Sequence, residues 1–236
     1  TTVLAFLQNE TYLTVRKSGL PIIDKLFHQI RVEFRTEYRN WTQTAALLLF
    51  MTVVAYVMYR IRPTLRPTDF HFVFWVLMML IAINVSLQSE RHSGPDEKLF
   101  IYTLVSPGIL FLSRLLFNTS YLFLVGAMFY TVLLGLFYPQ ISYSSSFVGL
   151  IGMGAFALSC SLSLTSAIAS HGSNQNTILS ILSIPVLIPV VMSLHNIGIT
   201  KLMMTTVDAA KYIGLFSISL ISLALSMVLF PIVWKQ

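Results

Sequence analysis

An all-α protein that crosses a membrane several times is the fold class this sequence predicts, and three observations carry it. Residues 115–200 are 86 consecutive positions without a Lys, Arg, Asp or Glu. A water-facing surface returns to charge every few residues, whereas one charge at the centre of a membrane helix costs about 2.5–3.5 kcal/mol on the gentlest insertion scale. The composition agrees: 56% hydrophobic and 10% charged residues, with a mean hydropathy of +0.77, lie outside the range of soluble domains. The uncharged stretch also has room for three crossings of about 20 residues each. In hydrocarbon every backbone polar group must be paired internally, so apolar runs of that length are helices. A barrel would need short alternating segments, and this chain has none.

The first element precedes the spans. Ile23, Leu26, Phe27, Ile30, Phe34, Tyr38 and Trp41 recur at helical spacing, while Lys25, Gln29, Arg31, Arg35, Thr36 and Arg39 fall on the opposite face. That pattern predicts an amphipathic helix over about residues 22–39, lying in the inner headgroup plane with its apolar stripe in the acyl boundary. Arg31 and Arg35 would hold it to anionic lipid headgroups, and Asp24 near its start suits the helix dipole. Residues 1–40 form an N-terminal arm, whose first 20 residues lack the basic region and apolar length of a signal peptide.

Six spans follow, at residues 41–59, 70–88, 115–137, 147–170, 177–196 and 212–234. Turn residues separate them, with Pro63 and Pro67 after the first. With the N-terminus inside, ten Lys and Arg residues fall on inner segments and five on outer ones (Arg60, Arg62, Arg66, Lys201 and Lys211). That asymmetry sets both termini in the cytoplasm. Residues 41–236 thus make one six-helix membrane domain.

Two spans carry further signals. In the fourth, Ala155, Ser159, Ser163 and Ala167 recur every four residues, as do Ala157, Ser161, Thr165 and Ala169, after Gly149, Gly152 and Gly154. Small residues at that spacing admit a close helix neighbour, either within the chain or in another subunit. Pro185 and Pro189 in the fifth span free backbone carbonyls and are expected to kink it.

Residues 89–107 form a cytoplasmic segment, polar through Lys98 and apolar from Leu99 to Val105. Pro95, followed by Asp96 and Glu97, would open a short helix at about residues 95–104. Such an element could be a plain connector or the surface that receives a cytosolic motor. In the second case Asp96, Glu97 and Lys98 would orient the contact, and Leu99 and Tyr102 would be its buried anchors.

From the interfacial helix onward, the chain resembles the CcmB family, the haem-exporter permeases of cytochrome c maturation, in a form similar to those of Bacteroidota. The carriers, in order, are a helical second-to-third connection ending Tyr102-Thr103-Leu104-Val105-Ser106-Pro107 and a fourth span ending Ser166-Ala167-Ile168-Ala169-Ser170. Ser183-Ile184-Pro185-Val186-Leu187-Ile188-Pro189 in the fifth span and a Phe230-Pro231-x-x-Trp234 finish complete the set. The resemblance covers about residues 22–236 and implies a type-2 ABC exporter fold in a bacterial inner membrane. It also implies a CcmA-like ATPase subunit, CcmC- and CcmD-like membrane partners, and delivery of haem through a CcmE-like chaperone outside. ATP would act through the partner subunit, with residues 96–107 as the coupling helix, and two copies or a paired homologous permease would complete the assembly.

Other classes lose support on particular absences. No Gly-x-x-x-x-Gly-Lys-Ser/Thr is present for ATP, and no intramembrane carboxylate, which coupled carriers usually hold near the midplane, lies in the six spans. No His-Glu-x-x-His or paired carboxylates mark a protease or a metal centre. The chain is therefore expected to be a non-catalytic subunit with no directly bound cofactor. Cys160, the single cysteine, forms no internal disulfide. The net charge of +6 comes from basic residues that flank the spans, the largest group of them before the first, and signals lipid, not nucleic acid. Haem iron favours imidazole, and His71 and His195 both fall near outer span ends. They are candidate haem ligands, although amphipathic rings resting at headgroup level are the plainer expectation. An exporter for a lipid or drug, and a non-transport scaffold or membrane enzyme, stay open as alternatives.

Overall fold

The computed structural model describes residues 30–31, 41–62, 66–91, 107–137, 145–169, 175–202 and 209–233. Among them are six α-helices: α1 (Trp41–Ile61), α2 (Pro67–Arg91), α3 (Pro107–Phe137), α4 (Ser145–Ala169), α5 (Gln175–Leu202) and α6 (Ala209–Val233). Five hold stretches long and apolar enough to cross a bilayer: Thr68–Ser86, Phe111–Phe137, Phe147–Ser166, Thr177–Lys201 and Ala209–Leu229. The described apolar part of α1, Ala45–Ile61, is shorter. The chain is thus an all-α, multi-pass membrane protein.

Each helix contains the core of a predicted span, and the differences lie at the ends. α3 begins at Pro107, eight residues before the start set by Arg114. Proline suits a first helical turn, where its missing N–H would be unpaired anyway. A long arginine can also carry its charge toward the interface while its backbone stays helical. At 31 residues and about 1.5 Å per residue, α3 exceeds the roughly 30 Å of hydrocarbon, so it tilts or projects beyond it. α5 runs unbroken through Pro185 and Pro189, whose rings lie on its exposed side. The interfacial helix over about residues 22–39 and the short helix over 95–104 lie outside the described residues, apart from Ile30 and Arg31.

Side-chain contacts fix the arrangement. Tyr59 of α1 meets Phe137 of α3 edge-on at 5.8 Å, and His71 of α2 stacks on Phe147 of α4 at 5.6 Å. The Lys211 ammonium donates to Thr200 Oγ1 at 3.1 Å. These pairs gather the ends of α1, α3 and α5 with the starts of α2, α4 and α6. Successive helices therefore run antiparallel.

α4 is the hub and touches α2, α3, α5 and α6. Its small residues face its own neighbours: Ala155, Ala157, Ser159, Ser161, Thr165 and Ala169 are all buried. Hydroxyls cross the seams this opens, Ser163 with Ser226 of α6 at 3.1 Å and Ser183 of α5 with Thr165 at 3.4 Å. Such bonds average about 0.6 kcal/mol in a membrane. α6 turns Ile213, Phe216, Ile221 and Val228 outward.

The tightest packing is where α2 crosses α4 and α3. The Trp75 indole occupies the space that a Cβ on Gly154 would need, and a Cβ on Gly126 would lie 2.8 Å from Met78 Cε. Gly135, by contrast, faces open space. Gly154→Leu should therefore lower the thermal unfolding midpoint of the detergent-solubilised protein, at a cost of about 1–3 kcal/mol from forced overpacking. Gly135→Ala should leave the midpoint unchanged or raise it slightly.

Candidate functional site

The end of the bundle where α1 gives way to α2 collects the polar chemistry. The Arg62 N–H donates to the Met58 carbonyl at 2.8 Å, and the Phe70 N–H donates to the Arg66 carbonyl at 3.0 Å, closing the two helix ends. Pro67 opens α2, and Asp69 sits in its first turn, where the helix dipole favours a carboxylate. The reversal brings Arg62 Nη1 within 3.8 Å of Asp69 Oδ2, with side chains 72% and 42% exposed. A pair that long and that open contributes at most about 1 kcal/mol, so both charges can exchange partners cheaply.

One turn into α2, His71 is only 1% exposed. It is enclosed by the bundle and not on its outer surface, because it shares the inward face of α2 with Phe74, Trp75 and Met78, which are also buried. Its ring stacks on Phe147 at 15° between planes and lies edge-on to Phe70 at 5.4 Å. A Cβ on Gly198 would lie 2.9 Å from its Nδ1, so only glycine lets α5 pass here. Both ring nitrogens are buried with no hydrogen-bond partner among the described residues, as is Trp75 Nε1 one turn further on. Leaving such a group unpaired costs about 1–3 kcal/mol.

His195 sits one turn before Gly198 on α5, partly exposed. Phe72 of α2 meets it edge-on at 5.6 Å, and its Nδ1 is buried without a partner among the described residues. Adjacent residues of α2 thus address adjacent turns of α5, His71 against Gly198 and Phe72 against His195.

Beside this pairing opens a cleft of about 430 Å³. Met58, Ile61, Phe72 and Val73 give it an apolar floor, and Arg62, Thr68, Asp69 and His195 give it a polar rim. A second cleft of about 400 Å³, with Asn196, Thr200 and Lys211 on its wall, lies between α5 and α6. No group of three or more metal-ligating side chains occurs among the described residues.

The sequence singled out His71 and His195, and both come to this end on facing helices. Bis-imidazole ligation of haem would need an open nitrogen on each ring. Neither nitrogen of His71 is open here, so a porphyrin would reach it only if α5 withdrew from α2. Arg31 is exposed. Arg35 and the motor-contact candidates Asp96, Glu97, Lys98, Leu99 and Tyr102 lie outside the described residues. Sequence reasoning passed over Asp69, Gly198 and the role of Arg62 beyond its charge. A lone acid at the mouth of an apolar span, seven residues after an arginine across two prolines, was the available signal.

Fold and site together define a polytopic helical membrane protein with a polar, partly unsatisfied end. No protein-family model, no curated protein and no solved structure matches the chain.

Two substitutions separate a structural His71 from a functional one. His71→Phe keeps a ring and removes the unpaired nitrogens, so it should be at least as stable as the parent in a thermal unfolding scan, whereas His71→Ala should lose about 2–4 kcal/mol through the cavity it leaves. Haem absorbance of the purified complex should be unchanged in His71→Ala, and a loss there would make His71 a ligand.

Proposed function

We propose that this chain is the membrane permease subunit of an ABC transporter complex for cytochrome c-type biogenesis. An ATPase subunit would bind at the inner face, and its closure on ATP would move the helices so that haem delivery through the outer chaperone proceeds. In this reading α1 is a sixth crossing, the fold is of the type-2 exporter kind, and both termini lie on the cytoplasmic side of a bacterial inner membrane. The chain carries no catalytic group of its own. Haem is cargo of the complex, CcmC- and CcmD-like proteins are its neighbours, and a second copy or a paired permease completes the pore-forming half.

The single observation that carries the proposal is the ordered set of family-like strings from Tyr102 to Trp234 along one chain of apolar helices. The length of α3 supports it. The helix starts at Pro107, directly after the proposed coupling segment, and continues without interruption to Phe137. A push delivered to the start of α3 at Pro107 would pass into one continuous helix.

Co-expression with the neighbouring ATPase should yield a stoichiometric complex that survives detergent purification. Replacing Leu99 and Tyr102 together by Ala should weaken that complex by about tenfold or more, the usual scale for buried anchors, while an Arg66→Ala control leaves it intact. A chain that purifies without any nucleotide hydrolase, with its cellular role unchanged, would point to a scaffold instead. An ATPase partner encoded beside lipid- or drug-export genes would keep the permease and change the cargo.

A further inference from the structure

The geometry points to the cleft at the α1–α2 turn as a binding site for one aminophospholipid, its phosphate on Arg62 and its ammonium on Asp69. Three features of the cleft define that ligand. The first is depth. The apolar stretch of α2 starts at Thr68, so Asp69 and Arg62 stand where hydrocarbon gives way to headgroups. The second is the floor. Met58, Ile61 and Phe72 line the cleft, and Ile61 and Val57 on the same helix are 75% and 48% exposed, which continues the apolar surface along α1 for an acyl chain to follow. A soluble amine-phosphate would gain nothing from that surface.

The third feature is charge. The rim holds one cation and one anion whose mutual contact is a single exposed approach of 3.8 Å. A zwitterion that offers a phosphate to Arg62 and an ammonium to Asp69 replaces that weak pair by two charge-assisted hydrogen bonds. The Thr68 hydroxyl, now 3.4 Å from Asp69 Oδ1, adds a polar contact on the same rim. Phosphatidylcholine fits less well, because a trimethylated nitrogen has no N–H to donate to Asp69. Phosphatidylglycerol would bring an anion with no cation, leaving Asp69 uncompensated. The volume of about 430 Å³ lies within the roughly 300–1,000 Å³ of small-molecule sites. The site is independent of the transport function proposed above and goes beyond it.

Native mass spectrometry of the full-length protein in detergent, with its partner subunits where they co-purify, tests the assignment. Titrated phosphatidylethanolamine should bind about five- to tenfold more tightly than phosphatidylcholine or phosphatidylglycerol of the same chains, the scale of one charge-assisted contact. Asp69→Asn should erase the preference over phosphatidylcholine, and Arg62→Gln should weaken all three lipids. Glycerophosphoethanolamine, which lacks acyl chains, should compete poorly. Equal binding of the three lipids, or a preference that survives Asp69→Asn, would overturn the site. Competition by the soluble headgroup as strong as by the lipid would overturn the lipid as its occupant. Asp69→Glu, which keeps the charge, should retain the preference, and circular dichroism of each variant separates lost binding from lost folding.

Discussion

Close packing of rings against bare helix backbone holds this bundle together, and two glycines permit it. Lipid tails are as apolar as leucine, so helices in a bilayer gain little from hiding apolar surface from one another. What remains is contact at short range, and α2 concentrates it. His71 and Trp75, one turn apart, seat their rings on Gly198 of α5 and Gly154 of α4. That pair of contacts pins α2 between its two neighbours and fixes its rotation. With that rotation set, Phe70, Phe74 and Met78 turn into the core, and the ring cluster with Tyr130, Phe137 and Phe147 follows.

Some buried polar groups of the bundle are paired and others are not. Toward the end away from Arg62, hydroxyls on α4, α5 and α6 pair across the helix seams or with carbonyls one turn back, as Ser163, Ser183 and Ser226 do. Toward the Arg62 end, the imidazole of His71 and the indole N–H of Trp75 are enclosed without such partners among the described residues. Unpaired nitrogens in a low-dielectric interior raise the energy of the packed arrangement. A shift of α5 that admitted water or a ligand to His71 would lower that cost. Asn118 Oδ1 and Ser159 Oγ, farther from that end, are likewise buried without such partners among the described residues.

In the proposed permease, the packing of α3, α4 and α5 would have a mechanical meaning. There a long continuous α3 would carry displacement across the bilayer, α4 touches α3 and α5 alike, and α5 brings His195 to the cleft. Movement entering at the start of α3 would then have a packed route, through α4 and α5, to the polar end. That continuity is what the proposed permease role requires of the bundle.

Fold class and helix positions were legible in the residues alone, because exclusion of charge from hydrocarbon acts on each position locally. Every predicted span between residues 41 and 234 has its helix. The ends were less legible: Arg114 reads as a boundary in sequence, yet one long side chain can leave the hydrocarbon while its backbone stays in the helix. The site was half visible. The histidines stood out by residue type, but their burial depends on how α2 is rotated against α5, which no local pattern encodes. Asp69 and Arg62 became a pair only when the turn between two helices closed. The sequence by itself determined the medium this chain folds in and the number of its apolar rods. Only tertiary structure decided which faces of those rods meet, since close packing depends on the shapes of two surfaces at once, and each surface comes from a distant part of the chain.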